Sequence, residues 1–160
     1  MHILCGLPCS GKTTLAKSLE RDLPALRLGP DEWLLDLIPD RDQAEVGRQR
    51  PILNEIQWKL AQKTLELGCN VVLEHGFWSP QERQGTLQTF SGSDIQVHLH
   101  YMSVAMSVLN SRLVSRNENL PDDCFYIKPG LLEEWASDFI PPETEELALY
   151  DSYKIYESEI

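Results

Sequence analysis

The sequence predicts an α/β protein in which a mainly parallel, five-stranded sheet carries helices on both faces. Short apolar segments alternate along the chain with segments of helical periodicity, and Gly or Pro residues separate many of them. The chain shows no internal repeat and no low-complexity segment. Its 160 residues are enough for one core, so we expect a single domain over residues 1–160.

Short apolar segments mark the strands. Residues 1–5 and 26–28 are predicted to form the first two strands, and residues 69–73 and 95–102 the third and fourth. The sequence also predicts a fifth, edge strand from Leu147 to Tyr150.

Helix start and stop signals place helices between these strands. Ser79 and Pro80 begin one helix, as N-cap and first-turn residue, and Gly68 ends a long helix over residues 43–67. The other predicted helices follow residue 11, run from Asp31 to Pro39, and cover residues 104–116 and 131–139. The inner face of the long helix is predicted to consist of Leu53, Ile56, Leu60 and Leu67.

The residues between the first strand and the first helix match the phosphate-binding P-loop, G-x-x-x-x-G-K-[ST]. They read Gly6-Leu7-Pro8-Cys9-Ser10-Gly11-Lys12-Thr13-Thr14. The strand before this loop and the amphipathic helix after it supply the order that the motif requires. The sequence therefore predicts the P-loop NTPase fold and a site for a nucleoside triphosphate with its Mg²⁺.

Each part of this loop has a physical role. Gly6 and Gly11 allow backbone angles that turn N–H groups inward, and the following helix adds the positive end of its dipole. Lys12 is expected to contact the β- and γ-phosphates, Thr13 to ligate Mg²⁺, and Thr14 to bond a phosphate oxygen nearer the nucleoside. The rest of the predicted nucleotide-binding loop is Pro8, Cys9 and Ser10.

Two carboxylates follow the second and third predicted strands. Because ligands bind beyond the carboxyl ends of parallel strands, we expect Asp31 and Glu74 to face the P-loop across one crevice. Asp31 is the candidate general base for an acceptor hydroxyl, or else a cap of the helix that begins at Glu32. Glu74 is a candidate for holding Mg²⁺ through water or for polarising a water, or else a solvated residue at a strand end.

Arginines on a later helix are candidates for covering the phosphates. Arg112 and Arg116 are four residues apart and so share a helix face. Arg116 is the candidate lid arginine for the γ-phosphate and Arg112 a candidate nucleotide contact, although solvated arginines are common on such a helix. Arg83 is a weaker candidate for holding substrate, or an exposed residue, and Arg48 and Arg50 are weaker still.

Composition limits the classes of partner and compartment. A net charge of −11 opposes long-range attraction to nucleic acid, so a nucleic-acid substrate is less favoured than a small molecule. The four cysteines show no C-x-x-C spacing and are expected to be free thiols, mostly buried, with Cys9 the exposed exception. A strand at residue 1 and the lack of a long apolar run predict a cytoplasmic protein with no membrane partner.

The chain resembles a group of small P-loop kinases that includes chloramphenicol phosphotransferase, zeta toxin and the polynucleotide 5′-kinases. Many relatives carry aspartate at the position of Glu74. The resemblance spans most of the chain and rests on segments 6–14, 28–33, 71–78, 111–117 and 139–142.

The resemblance implies transfer of the γ-phosphate of ATP to a hydroxyl, with Mg²⁺ as cofactor, Asp31 as the catalytic aspartate and Arg116 as a lid arginine. The acceptor is expected to be a small molecule in a pocket walled by Trp33, Phe77, Trp78 and the long helix. A polynucleotide 5′-hydroxyl kinase and a nucleotide-binding ATPase module without an acceptor stay open as alternatives. A GTPase switch is excluded, because the chain has neither D-x-x-G nor N-K-x-D.

Overall fold

The computed structural model describes residues 1–158, and its centre is one wholly parallel sheet. The sheet has five strands in the spatial order β2-β3-β1-β4-β5. They are β1 (His2–Cys5), β2 (Ala25–Leu28), β3 (Asn70–Gly76), β4 (His98–Val104) and β5 (Ser152–Ser158).

Seven helices lie within the described residues and connect these strands. They are α1 (Lys12–Asp22), α2 (Pro30–Leu37), α3 (Gln43–Glu66), α4 (Pro80–Phe90), α5 (Met106–Glu118), α6 (Leu131–Asp138) and α7 (Thr144–Leu147). Ser79 caps α4, as its sequence pattern predicts, and it also forms a capping box with Glu82.

The central strand β1 determines where the carboxyl ends of its neighbours lie. Cys5 pairs with Gly76 on one side, after a shift in register beyond Ile3, and with Tyr101 on the other, so β1, β3 and β4 run parallel toward the same edge. Ile3, Leu4 and Cys5 are fully buried. The loops after β1 and β3 therefore meet at this edge, which is where ligands of parallel sheets bind.

Apolar side chains cover both faces of the sheet, as the sequence predicts. On one face, residues of β1, β3 and β4 pack with Ala61 and Leu65 of α3 and with Phe90 of α4. On the other face, Ala16 of α1 packs on Leu4 and Val72. The five-stranded α/β architecture of the P-loop NTPases is thus present.

The prediction of the fifth strand at Leu147–Tyr150 was wrong. Leu147 ends the short helix α7, and both Leu147 and Tyr150 pack into the core beside the sheet. The strand itself is Ser152–Ser158, most of whose side chains are exposed. An exposed edge strand of mixed composition carries little hydrophobic signal, whereas the buried turn before it carries a strong one.

The long helix α3 is confirmed, but its inner face differs in part from the predicted one. Ile56 is 50% exposed and Leu67, just beyond the last helical residue, is 81% exposed. The buried positions repeat every four residues and are Leu53, Gln57, Ala61 and Leu65, together with Val46 near the start of the helix. The polar Gln57 was overlooked because the prediction followed apolar residues only.

Arg83 is neither exposed nor in the cleft. Its side chain is fully buried on α4, and its Nη1 donates hydrogen bonds to the carbonyl oxygens of Phe77 and Ile140. Its Nη2 lies 2.9 Å from Oε2 of Glu146. One guanidinium therefore joins α4, α7 and the loops after β3 and α6.

We expect Glu146→Gln to lower the free energy of unfolding by about 3–5 kcal/mol, because it leaves a buried guanidinium without its counter-charge. Urea denaturation with an unchanged m-value measures this loss. Glu55→Gln is the matched control, since Glu55 pairs with Lys59 where both side chains are 66% exposed. Equal midpoints for the two variants would contradict a structural role for the Arg83–Glu146 pair.

Candidate active site

The P-loop joins the end of β1 to the start of α1 at the carboxyl edge of the sheet. Gly6 and Gly11 have φ angles of +148° and +99°, which side chains with a Cβ rarely adopt. A Cβ on Gly6 would also lie 3.0 Å from Cβ of Met102 on β4. The Gly6 N–H donates to the carbonyl of Gly76 at 2.9 Å, so the loop is held against the end of β3.

Two polar groups of the loop fit a bound anion. The Lys12 ammonium donates to the carbonyl of Leu7 at 2.7 Å, and burial lowers its pKa to about 8. Oγ of Ser10 is buried and has no hydrogen-bond partner within residues 1–158. A phosphate at this loop would accept from both groups and favour the charged form of Lys12.

The oxygens beside Lys12 fit a magnesium ion. The Thr13 hydroxyl donates to Oε1 of Glu74, and burial raises the pKa of the Glu74 carboxyl. Within residues 1–158 no cluster of three or more His, Cys, Asp or Glu side chains could hold a metal. A hydroxyl and a carboxylate suffice for Mg²⁺, which keeps several waters and takes further ligands from phosphates.

A cleft of about 1290 Å³ opens in front of the loop and brings the predicted site residues together. Of the predicted catalytic, nucleotide-binding and metal-binding residues, Gly6 alone does not line this cleft, because it lies at the base of the loop, where the loop joins β1. The predicted residues that line it are Pro8, Cys9, Ser10, Gly11, Lys12, Thr13, Thr14, Asp31, Glu74, Arg112 and Arg116.

Asp31 lines the same cleft as the loop and is not a helix cap. Helix α2 begins at Pro30 with Gly29 as its N-cap, so Asp31 sits within the first turn. Its Oδ1 lies 2.7 Å from Nη2 of Arg50 on α3. The Asp31 side chain is 57% exposed, so one carboxylate oxygen is held while the carboxylate remains accessible from the cleft.

Arg112 and Arg116 extend from α5 toward the P-loop. Arg112 donates to the carbonyl of Cys9 at 3.4 Å and to the Ser158 hydroxyl at 3.0 Å. Arg116 donates through Nη2 to the carbonyl of Phe125 at 3.4 Å, while its buried Nε has no hydrogen-bond partner within residues 1–158. Both guanidiniums therefore retain capacity to donate to an anion in the cleft.

Sequence reasoning missed one arginine of the site, Arg27, and gave too little weight to a second, Arg50. Arg27 on β2 lies 3.4 Å from Glu74 and also pairs with Glu20 and Glu32. The sequence feature that could have identified Arg27 was a charged residue inside a short apolar strand. Arg50 was ranked among the weakest candidates, yet it holds Asp31. No sequence signal identifies that contact, because α2 and α3 meet only in the folded chain.

The aromatic wall differs in part from the predicted one. Trp78 and Trp135 line the cleft with ring centroids 6.1 Å apart, and Trp78 donates to the carbonyl of Gly6. Trp33 does not line the cleft and is 37% exposed on α2, and Phe77 is buried in the main core. Both residues follow a strand end in sequence, but the chain turns their side chains away.

The cysteines are free thiols, but they are less buried than predicted. Cys5 is buried, and burial raises its pKa to about 12. Cys69 is exposed, and Cys124 is half-buried. Cys9 is half-buried rather than exposed, and burial raises its pKa as well. The P-loop thiol is thus held mainly in its protonated form at neutral pH.

Comparison with known families identifies the protein's relatives. A family model described as "AAA domain" (AAA_33) matches residues 1–141. The chain belongs to this AAA domain family. No curated protein sequence matches it.

Solved structures share the fold of this AAA domain. A presumed kinase from Chloroflexus aurantiacus has a TM-score of 0.74 at 20% identity, covering 99% of this chain and 87% of that one. A gluconokinase from Sinorhizobium meliloti has a TM-score of 0.64 at 15% identity, and the match covers 98% of this chain and 81% of the gluconokinase. Chaetomium thermophilum Kti12, solved with ADP-AlF3, has a TM-score of 0.64 at 12% identity, and the match covers 98% of this chain and 88% of Kti12. At these identities the similarity establishes the P-loop NTPase fold.

In the described part of this AAA domain, residues 1–158, no helix has both the length and the apolar character needed to span a membrane.

We expect triphosphate binding to be coupled to proton uptake by Lys12. Near pH 8.5 a lysine with a pKa of about 8 is mostly neutral, and a bound polyphosphate raises that pKa. ATP should then take up about 0.7 proton per site at pH 8.5. Calorimetric titrations in two buffers with different ionisation enthalpies measure this number. Lys12→Arg, which stays charged at this pH, should abolish the uptake, and an unchanged value in that variant would contradict the assignment.

Proposed function

We propose that this protein is an ATP-dependent kinase that transfers the γ-phosphoryl group of ATP to a hydroxyl of a small molecule. The observation that carries the proposal is the placement of the Asp31 carboxylate in the same cleft as Lys12 and the P-loop. A carboxylate opposite a phosphate loop can orient an alcohol and accept its proton as the oxygen attacks phosphorus.

The roles of the other residues follow from their contacts. Lys12 turns from the carbonyl of Leu7 to the β- and γ-phosphates, and the buried Ser10 hydroxyl donates to a phosphate oxygen. Arg116 and Arg112 approach from α5 and cover charge that spreads over the transferred group. The bond between the γ-phosphorus and the β–γ bridging oxygen of ATP breaks, the acceptor oxygen bonds to the γ-phosphorus, and ADP leaves.

Thr13 and Glu74 are the residues that would hold Mg²⁺. The ion would neutralise part of the negative charge on the phosphate oxygens. Before it binds, the Thr13 hydroxyl donates to Glu74, and Arg27 provides further positive charge at 3.4 Å from that carboxylate. These contacts keep the buried Glu74 carboxylate oriented toward the loop.

Charge and relatives favour a small molecule over nucleic acid as the acceptor. The protein carries a net charge of −11, which repels a polynucleotide at long range. The structurally similar proteins include a gluconokinase and a presumed kinase, which supports phosphoryl transfer. The chloramphenicol phosphotransferase, zeta toxin and polynucleotide 5′-kinase group stays our proposed subgroup.

We expect Asp31→Asn to lower kcat for phosphoryl transfer by about 10²–10⁴-fold, because the amide cannot accept the proton of the acceptor hydroxyl. Binding of ATP, measured by calorimetry, should not change. Asp36→Asn is the control, because Asp36 is an exposed carboxylate later on the same helix and does not line the cleft. Full transfer by Asp31→Asn would end the general-base assignment. ATP hydrolysis without transfer to any alcohol by the unmodified protein would favour an ATPase instead.

We expect Arg50→Gln to lower kcat by about tenfold or more with little change in the KM for ATP, because Asp31 loses the partner that orients it. Arg50→Lys should restore part of the rate, since an ammonium can still pair with the carboxylate. Arg48→Gln is the matched control, because Arg48 pairs with Glu45 on the surface. If the Arg48 and Arg50 variants are equally active, Arg50 does not position Asp31.

A further inference from the structure

One part of the cleft is built by a polar face of α3 together with the end of β3. Arg50, Asn54 and Gln57 follow one another at spacings of four and three residues, so they share one helix face. Arg50, Asn54 and His75 line the cleft next to Asp31. We call Asp31, Arg50, Asn54 and His75 the acceptor wall.

Gln57, which lies behind this wall, determines which nitrogen of His75 carries the proton. Its buried amide nitrogen donates to the carbonyl of Gly29 at 3.2 Å, and its Oε1 lies 2.9 Å from Nε2 of His75. An amide oxygen can only accept, so Nε2 of His75 is the protonated nitrogen. Nδ1 is then a hydrogen-bond acceptor.

Asn54 adds a second acceptor to the wall. Its Oδ1 is buried and has no hydrogen-bond partner within residues 1–158. Buried polar atoms of folded proteins nearly always have a partner, and an exception at the edge of a cleft points to a ligand. A donor on a molecule bound against α3 would satisfy this oxygen.

The charges of the wall select against an anionic acceptor molecule. Arg50 is the one cation of the wall, and it already pairs with Asp31 at 2.7 Å. A carboxylate or phosphate on the acceptor would compete with Asp31 for that guanidinium. Besides the N–H groups of Arg50 and Asn54, the wall presents three acceptors to a ligand, namely the second oxygen of Asp31, Oδ1 of Asn54 and Nδ1 of His75.

We infer that, if the protein is the kinase proposed above, its acceptor is a small neutral polyol or sugar. One hydroxyl donates to Asp31 and receives the phosphoryl group, while further hydroxyls donate to Asn54 and His75. These contacts hold the reacting oxygen toward the P-loop. The inference rests on the proposed function, but binding of a polyol to this wall can be measured without any phosphoryl transfer.

The experiment compares neutral compounds with anionic counterparts in two assays. Glucose, ribose, glycerol and inositol are tested beside gluconate, ribose 5-phosphate and a 5′-hydroxyl oligonucleotide. Binding is measured by thermal shift and calorimetry with Mg²⁺ and an ATP analogue that has a non-cleavable β–γ bridge. Transfer is measured with γ-labelled ATP. We expect at least one neutral compound to bind and accept label, and its anionic counterpart to do neither.

Variants of Asn54 test whether the wall is the binding site. Asn54→Leu should raise the KM or Kd for the neutral compound by about tenfold or more and leave the KM for ATP unchanged. Asn54→Asp, which keeps an acceptor oxygen, should retain binding. Glu55→Leu is the matched control, because Glu55 lies one residue further along α3 and is exposed beside Lys59. Far-UV circular dichroism and binding of the ATP analogue show that each variant is folded.

The outcomes separate this inference from the proposed function. Labelling of anionic compounds alone, binding of no neutral compound, or an Asn54→Leu variant that behaves like Glu55→Leu would overturn the polyol assignment. A neutral compound that binds in an Asn54-dependent way but never receives label would leave the polyol site standing and refute the kinase.

Discussion

The hydrogen bond from the Gly6 N–H to the carbonyl of Gly76 is the contact on which the site depends. It holds the phosphate loop against the end of β3, where Cys5 and Gly76 are paired in the sheet. Because the strands are parallel, that edge also receives the Thr13 hydroxyl and the Glu74 carboxylate. The anion site and the candidate metal site therefore both depend on the parallel packing of β1 against β3 at this edge.

Charge pairing lets an acidic protein form a phosphate-binding cleft. The net charge of −11 would by itself repel a triphosphate, yet Lys12, Arg112 and Arg116 line the cleft where phosphates are expected. Arg27 pairs with Glu74, and Arg50 pairs with Asp31. Glu74 and Asp31 are thus each oriented by a guanidinium, while Lys12 and Arg116 keep free capacity for an anion.

One face of helix α3 packs in the core, and another face lines the cleft. Leu53, Ala61 and Leu65 are buried among apolar side chains, whereas Arg50 and Asn54 line the cleft. Gln57 connects the two, because its buried amide bonds both the backbone before α2 and the ring of His75. A polar residue in the middle of an otherwise apolar stripe thereby sets the chemistry of the acceptor wall, and apolar periodicity alone does not reveal it.

The sequence by itself determined the fold class, the phosphate loop and the position of Asp31 and Glu74 beside that loop. Each of these features depends on local spacing beside a strand end. Tertiary structure alone decided that Arg50 holds Asp31, that Arg83 is buried beside Glu146, and that the edge strand lies beyond Tyr150. These features come from residues distant in the chain whose burial depends on how helices pack. A sequence records periodicity within an element, but the partner of a charged side chain is set only when two elements meet.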